Sequence, residues 1–309
     1  MRIGLVGAGR WGKRYIATFQ TLPDLSLARV ASRNPLTRLL VPEGCDVTPF
    51  WEEVTSGHRL DGVIITTPPH LHGTMAKAAI HASLPVLVEK PFTLSLGEAG
   101  EVAAMARQEG VLVMVGHTHL FSSAYHTLKA RASALGRLME IRSVGSSWGP
   151  FRPDTPVLWD YGPHDVAMCV DLVAGFPIEI EATCVRREVR EAGAGEEIKI
   201  VLRFANHVRA EIMVSNVNPV KERRFEAHYD GGTLIYDDLA EDKLVLQDRS
   251  GQEQRRMPID ASRPLTNLIR EFSGSIAAGE KEHSSLKLAL QVVDILEKCQ
   301  ASLGADRRE

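Results

Sequence analysis

The sequence predicts an α/β chain in two parts: an N-terminal doubly wound parallel sheet, then an α+β part built on a mostly antiparallel sheet. Three observations predict it. An apolar strand over residues 3–6 runs directly into a glycine-rich turn and a helix; strands and helices then alternate through residue 119; beyond it the chain switches to β-branched segments of period two separated by short turns. The division gives domains over 1–119 and 120–309.

The turn reads Gly7-Ala8-Gly9-Arg10-Trp11-Gly12. Gly7 permits a tight turn, Gly9 lets the backbone approach a pyrophosphate, and Gly12 lets helix and strand pack closely, while free N–H groups at the helix start attract phosphates. The turn follows a strand, opens a helix, and is followed by a strand over 25–31 that ends about twenty residues on, the context a dinucleotide fingerprint requires. This is the βαβ layout of a dinucleotide site.

The residues ending that second strand discriminate between cofactors. NAD sites place Asp or Glu there for the ribose 2′-hydroxyl, and a carboxylate repels a 2′-phosphate; this chain has Ser32 and Arg33. They read as a 2′-phosphate clamp, hence NADP, the alternative being a solvated Arg33 and an NAD site. Asn34 is a candidate for one more bond, and Arg10 for positive charge near the pyrophosphate.

The first part continues with a strand over 60–66, a helix over 74–82, a strand over 86–88, a helix over 95–108 and a strand over 111–116. Ligands of such sheets collect at the carboxyl ends of the strands. That singles out Thr67-Pro68-Pro69-His70-Leu71-His72, Glu89-Lys90-Pro91 and His117-Thr118-His119. In the second part a helix over 123–134 precedes strands over 139–148, 178–189, 196–204, 207–215, 224–229, 233–236 and 243–247, with turns at Asn206-His207 and Asp230-Gly231-Gly232. Ile198, Ile200, Leu202 and Phe204 alternate with Lys199, Val201 and Arg203, which gives one core face and a second face expected to be only partly polar. A hydrophobic outer face of that kind predicts pairing of subunits as a dimer or a dimer of dimers. Helices over 266–278 and 285–302 close the chain.

Composition excludes several classes of function. With 309 residues, 44% hydrophobic and 24% charged, the chain reads as an ordinary globular enzyme. A net charge of −3 with interspersed signs gives neither a nucleic-acid stripe nor a polybasic membrane patch, so the expected partner is a small molecule. A strand beginning at Ile3 leaves no room for an export segment, and no apolar run reaches membrane-spanning length, so the expectation is a cytoplasmic protein. Cys45, Cys169, Cys184 and Cys299 lie far apart with no metal-binding spacing; neither a disulfide framework nor a metal site is expected.

The Gly-Ala-Gly-Arg-Trp-Gly turn, the run from Thr67 to His72, Glu89-Lys90-Pro91-Phe92 and Asp160-Tyr161-Gly162-Pro163-His164-Asp165 together resemble the glucose-fructose oxidoreductase / inositol dehydrogenase (Gfo/Idh/MocA) family, in that order and over essentially the whole chain. Glu-Lys-Pro is the most specific of these motifs. The resemblance implies a Rossmann domain joined to an open-faced antiparallel sheet, a nicotinamide cofactor, hydride transfer at a secondary alcohol or carbonyl carbon of a sugar-like substrate, and association of copies through the second sheet as homodimers or homotetramers. It implies Lys90, Asp160 and His164 as the catalytic set. It also implies Thr67, Pro68, His72, Glu89 and Lys90 beside the cofactor, and a cis bond before Pro91.

Each catalytic role has a physical basis. Moving a hydride at carbon requires a proton exchanged at oxygen, and His164 titrates near neutrality. Asp160 orients the imidazole and stabilises its protonated form where the two share a helix or tight turn; the alternative, a helix starting at Pro163, leaves Asp160 on the approaching loop and His164 near a positive helix end that favours the neutral ring, and either arrangement suits a base. Lys90 holds the reacting oxygen as a charged donor. Asp165 reads as a helix-start residue. Arg152, in the proline-rich loop over 149–156, is a candidate contact for an anionic substrate group or a surface arginine, and Trp159 and Tyr161 are candidates for stacking on a sugar ring. His117 and His119 are candidates to face the cleft, and Trp11 and Phe92 pack near the cofactor or in the core. Ser83 stands where relatives often have glycine.

The resulting expectation is an NADP-dependent oxidoreductase that reduces a ketone of a keto-sugar or nucleotide-linked sugar. The alternatives are an NAD-dependent polyol or inositol dehydrogenase and a catalytically silent NADP-binding sensor.

Overall fold

A computed structural model describes residues 1–56, 59–152, 155–190 and 193–305. Pro153 and Asp154 of the proline-rich loop, and positions 306–309, lie outside these. In chain order the elements are β1 (Arg2–Val6), α1 (Arg10–Phe19), β2 (Ser26–Ala31), β3 (Asp46–Thr48), α2 (Glu52–Thr55), β4 (Gly62–Ile65), α3 (His72–His81), β5 (Val86–Glu89), α4 (Leu96–Glu109), β6 (Val113–Gly116), α5 (Ser123–Ala132) and β7 (Leu138–Trp148). They continue as α6 (Val157–Val173), β8 (Glu179–Arg190), β9 (Gly193–Arg203), β10 (Arg209–Ser215), β11 (Val217–Tyr229), β12 (Gly232–Asp237), β13 (Leu244–Gln247), β14 (Gln254–Arg256), α7 (Pro264–Ala277) and α8 (Ser284–Ala305).

The chain forms two compact units, Met1–His117 with Leu265–Val293, and Thr118–Pro264 with Asp294–Glu309. Most of α7 and the first half of α8 therefore belong with the first unit, whereas sequence order alone puts them after residue 120.

In the first unit six parallel strands run in the order β3-β2-β1-β4-β5-β6. β4, β5 and β6 are buried along their whole length, as continuous apolar strands covered on both faces should be. α4 is bounded by local chemistry: the Ser95 side chain accepts from the Glu98 N–H at its start, and Gly110 closes it in the left-handed region. Ser83, in the turn before β5, also takes a positive φ of 55°, the conformation that favours glycine. Phe272 and Ile276 of α7 pack against β4 at Gly62.

In the second unit eight strands run in the order β14-β13-β12-β11-β7-β10-β9-β8. Neighbours are antiparallel except β7 and β10, which are parallel. Ile198, Ile200, Leu202, Ala210, Ile212 and Val214 are buried on the inner face, where Gly162 of α6 lies against Ile200 and Leu296.

The opposite face is partly polar as expected, with Val201 between Lys199 and Arg203, but ion pairs dominate it where a hydrophobic face was expected. Arg209 pairs with Glu140 and Glu211, Lys199 with Glu211, Arg142 with Glu140, and Glu226 with both Arg224 and His228. The bonds from His228 and then Arg224 hold the Glu226 carboxyl down at about 2. Residues 198–203 of β9 alone show lysine and arginine; their acidic partners come from neighbouring strands, Glu211 of β10 for Lys199 and Glu179 of β8 for Arg203.

Candidate active site

In the first unit, Gly7 takes φ of 98° and donates its N–H to the Ala31 carbonyl, while Thr66 Oγ1 donates to the Gly7 carbonyl at 2.7 Å. A Cβ on Gly12 would fall 2.1 Å from that same Gly7 oxygen, so only glycine lets α1 sit this close to β1. Around Gly9 the opposite holds: a Cβ there would meet nothing within 4 Å. Gly9 is the N-cap of α1, and the first turn has neither a side-chain cap nor an acidic residue. Donors at the helix start together with open space beside Gly9 fit a pyrophosphate. Arg10 is exposed beside them.

Ser32, Arg33 and Asn34 follow β2. Ser32 Oγ lies 2.8 Å from Thr37 Oγ1 and accepts the Asn34 N–H, and Asn34 Oδ1 accepts the Leu36 N–H. These bonds shape the segment into a tight corner, with Arg33 exposed on it. The Asn34 amide nitrogen keeps its own donors for a ligand, since only Oδ1 serves the corner.

After β4, Thr67 Oγ1 contacts Met75 Sδ at 3.4 Å and Pro68 is exposed. His72 is buried with its two ring nitrogens 2.8 Å from the Thr67 carbonyl and 2.9 Å from the Pro91 carbonyl, pinning this loop to the one after β5. Burial pushes the His72 pKa down, against the pull of the carbonyls. The Lys90-Pro91 bond is cis, as the family resemblance implies.

Glu89 is 4% exposed. Its Oε1 accepts the Trp11 indole N–H at 2.5 Å and the Tyr15 hydroxyl at 2.6 Å, and its Oε2 accepts the Lys90 amide N–H at 3.1 Å. Burial pushes the carboxyl up, opposed first by the Tyr15 and Trp11 bonds. The resemblance implies Glu89 beside the cofactor; the structure commits its carboxylate to the Trp11 indole, the Tyr15 hydroxyl and the Lys90 backbone. Phe92 is core. His117 is buried with neither ring nitrogen hydrogen-bonded, and burial, then the Lys90 charge, pushes its pKa down to about 3.

In the second unit, α6 starts at Val157 and continues through Pro163. The helical alternative therefore holds: Asp160 lies in the first turn and His164 follows four residues later on the same side. Asp165 is not a helix-start residue; it sits in the body of α6, buried, and accepts the Ser143 hydroxyl at 2.5 Å. Proline favours the first helical turn, which would put a helix start near Asp165, but here Pro163 is inside the helix.

Arg152 Nε lies 3.4 Å from Asp160 Oδ2. Trp159 and Tyr161 are both buried; Trp159 donates to Gln300 Oε1, and the Tyr161 hydroxyl donates to the Gly149 carbonyl beneath the Arg223 guanidinium. Neither ring is placed to stack on a sugar. His119 packs edge-on against His164 with ring centroids 4.7 Å apart, and its Nδ1 is 3.2 Å from the Tyr236 hydroxyl, which donates to Asp238. Burial pushes the Tyr236 hydroxyl up, keeping it protonated. Nothing in the sequence ties His119 to a tyrosine 117 positions away.

Among the described residues no group of three or more His, Cys, Asp or Glu could hold a metal ion, and no helix is long and apolar enough to cross a membrane.

The family description "Oxidoreductase family, NAD-binding Rossmann fold" fits residues 1–117, and "GFO/IDH/MocA C-terminal domain" fits residues 126–235. A crystal structure from Magnetospirillum magnetotacticum is 39% identical, with a TM-score of 0.90 over 97% of this chain and 99% of that one. The 4-carboxy-2-hydroxymuconate-6-semialdehyde dehydrogenase of a Sphingobium species is 25% identical over 98% of this chain and 99% of its own length. The UDP-N-acetylglucosamine 3-dehydrogenase of Acidithiobacillus ferrooxidans is 25% identical over 60% of this chain, which spans 58% of that enzyme.

Proposed function

The chain belongs to the Gfo/Idh/MocA family of NAD(P)-binding oxidoreductases, and from that premise we propose an NADP-dependent enzyme that interconverts a carbonyl and a secondary alcohol on a sugar-like substrate, in the direction of reduction. One observation carries the reading: open space at Gly9 beside uncapped helix donors, with Ser32 and Arg33 rather than a carboxylate after β2. The nucleotide sugar named for the Acidithiobacillus relative supports the substrate class.

A nicotinamide dinucleotide, when bound, supplies the hydride. Backbone N–H groups at the start of α1 take the pyrophosphate, and Arg33 and Ser32 take the 2′-phosphate. As the carbonyl carbon is reduced, its oxygen gains negative charge. Lys90 stabilises that charge as a donor, and His164 delivers a proton to the oxygen. Asp160 orients the His164 ring and favours its protonated form before transfer. Association of copies through the outer face of the second sheet would run through its charged rows rather than an apolar patch; sedimentation showing only monomer at micromolar concentration would overturn that part.

The test is turnover of NADPH with a panel of keto-sugars and nucleotide-linked keto-sugars. Turnover is expected, reduced about 10²-fold or more in Lys90→Met and in His164→Asn. NADPH binding without turnover on any substrate would favour the sensor, and unimpaired turnover in His164→Asn would remove the assigned acid.

A further inference from the structure

We propose that Glu89 is a positioning residue that couples the pyrophosphate turn to Lys90, so that filling the turn changes how Lys90 is presented. The inference rests on the dinucleotide reading above and concerns residues of the first unit alone.

Two donors that meet at Glu89 Oε1 come from α1, the helix opened by the glycine turn: Trp11 from its first turn and Tyr15 from its second. On the other oxygen, the acceptor is shared with the backbone of Lys90 itself. The 2.6 Å Tyr15 bond is in the range of a hydroxyl donating to a carboxylate. Gly116 of the adjacent strand leaves room for this carboxylate, since a Cβ there would approach Oε1 to 3.2 Å. A buried carboxylate held by three donors resists losing any one of them, since a donor left unpaired in the core is costly. A displacement of α1 by a ligand at its N-terminus is therefore passed through Glu89 to the Lys90 backbone. Arg14 lies over the Trp11 ring at 4.8 Å and further ties the indole to α1. By linkage the effect is reciprocal: a group engaging Lys90 also alters affinity at the turn.

The experiment labels Lys90, which is partly exposed, with an amine-acylating reagent and follows its rate by peptide mass spectrometry, with Lys77 and Lys129 as internal references. Probes are ADP-ribose and its 2′-phosphate, which carry the pyrophosphate but no nicotinamide to shield the lysine. In the unmodified protein, saturating probe is expected to change the Lys90 rate about fivefold or more. Trp11→Phe removes one N–H from the carboxylate, and Glu89→Gln places an amide group where an acceptor stood; each should still bind the probe and show a change of less than about twofold. No rate change in the unmodified protein with probe bound overturns the coupling, as does an undiminished change in both variants. Failure of the unmodified protein to bind either probe overturns the dinucleotide reading itself. A Glu89 that served only to stabilise the fold would lower melting temperature in both variants and leave the probe response intact.

Discussion

The Arg152 guanidinium engages the Asp160 carboxylate at 3.4 Å, with the arginine side chain 40% exposed and the aspartate 18%. An ion pair this open to water is worth on the order of 1 kcal/mol or less. Arg152→Ala should therefore shift the melting temperature by no more than about 4 °C, read by thermal denaturation; a larger loss would mean the pair supports α6.

A pair so weak is easily exchanged for a substrate anion. Arg152→Ala should raise KM about tenfold for substrates carrying phosphate or carboxylate, the cost of a lost charged hydrogen bond, and leave KM for neutral analogues nearly unchanged. Steady-state kinetics on matched pairs of substrates separates the two, and equal effects on both would exclude anion recognition by Arg152.

Gly9 and Gly12 make a contrasting pair. Gly9→Ala meets open space and should leave the melting temperature nearly unchanged while weakening dinucleotide binding about tenfold or more, because the methyl enters the space assigned to pyrophosphate. Gly12→Ala places a methyl against the Gly7 carbonyl and should destabilise the fold by about 1–3 kcal/mol or more. Calorimetry for stability and fluorescence titration for binding check both; a Gly9→Ala protein that binds normally would remove the pyrophosphate from this turn.

His117 makes stability depend on pH. Its folded-state pKa of about 3 lies below the ordinary histidine value, so between about 6.5 and 3 the unfolded chain binds a proton that the folded protein refuses. The contribution is fully present above about 6.5 and falls by about 1.4 kcal/mol for each pH unit below it. Denaturant titrations of the unmodified protein and His117→Leu from neutral pH down to about pH 5 should diverge by that slope; parallel curves would show that His117 takes up its proton as readily in the fold as in the unfolded chain.

How much of this was legible in the sequence follows from how local each signal is. β1, the glycine turn, β4 to β6 and the loops after them are continuous in the chain, and their apolar runs and turn residues identify them without reference to anything distant. β3 and β14, at three residues each, are too short to carry a period. Asp160 and His164 were legible as a spacing, but the helix continuing through Pro163 was not, because proline interrupts the pattern whether or not packing retains the helix. Part of the charged outer face alternates within single strands, as in Glu140/Arg142 and Arg209/Glu211, but its cross-strand pairs, such as Arg209 with Glu140, and the contact of His119 with Tyr236 depend on partners from remote segments.

The most direct test of the central claim is a fluorescence titration of the unmodified protein and Arg33→Ala with NADPH and NADH. The account predicts tighter binding of NADPH and a loss of that preference, about tenfold or more, when Arg33 is removed, with NADH affinity nearly unchanged. Equal or NADH-favoured binding by the unmodified protein would contradict it and turn the search to NAD-linked oxidation of polyols and inositols.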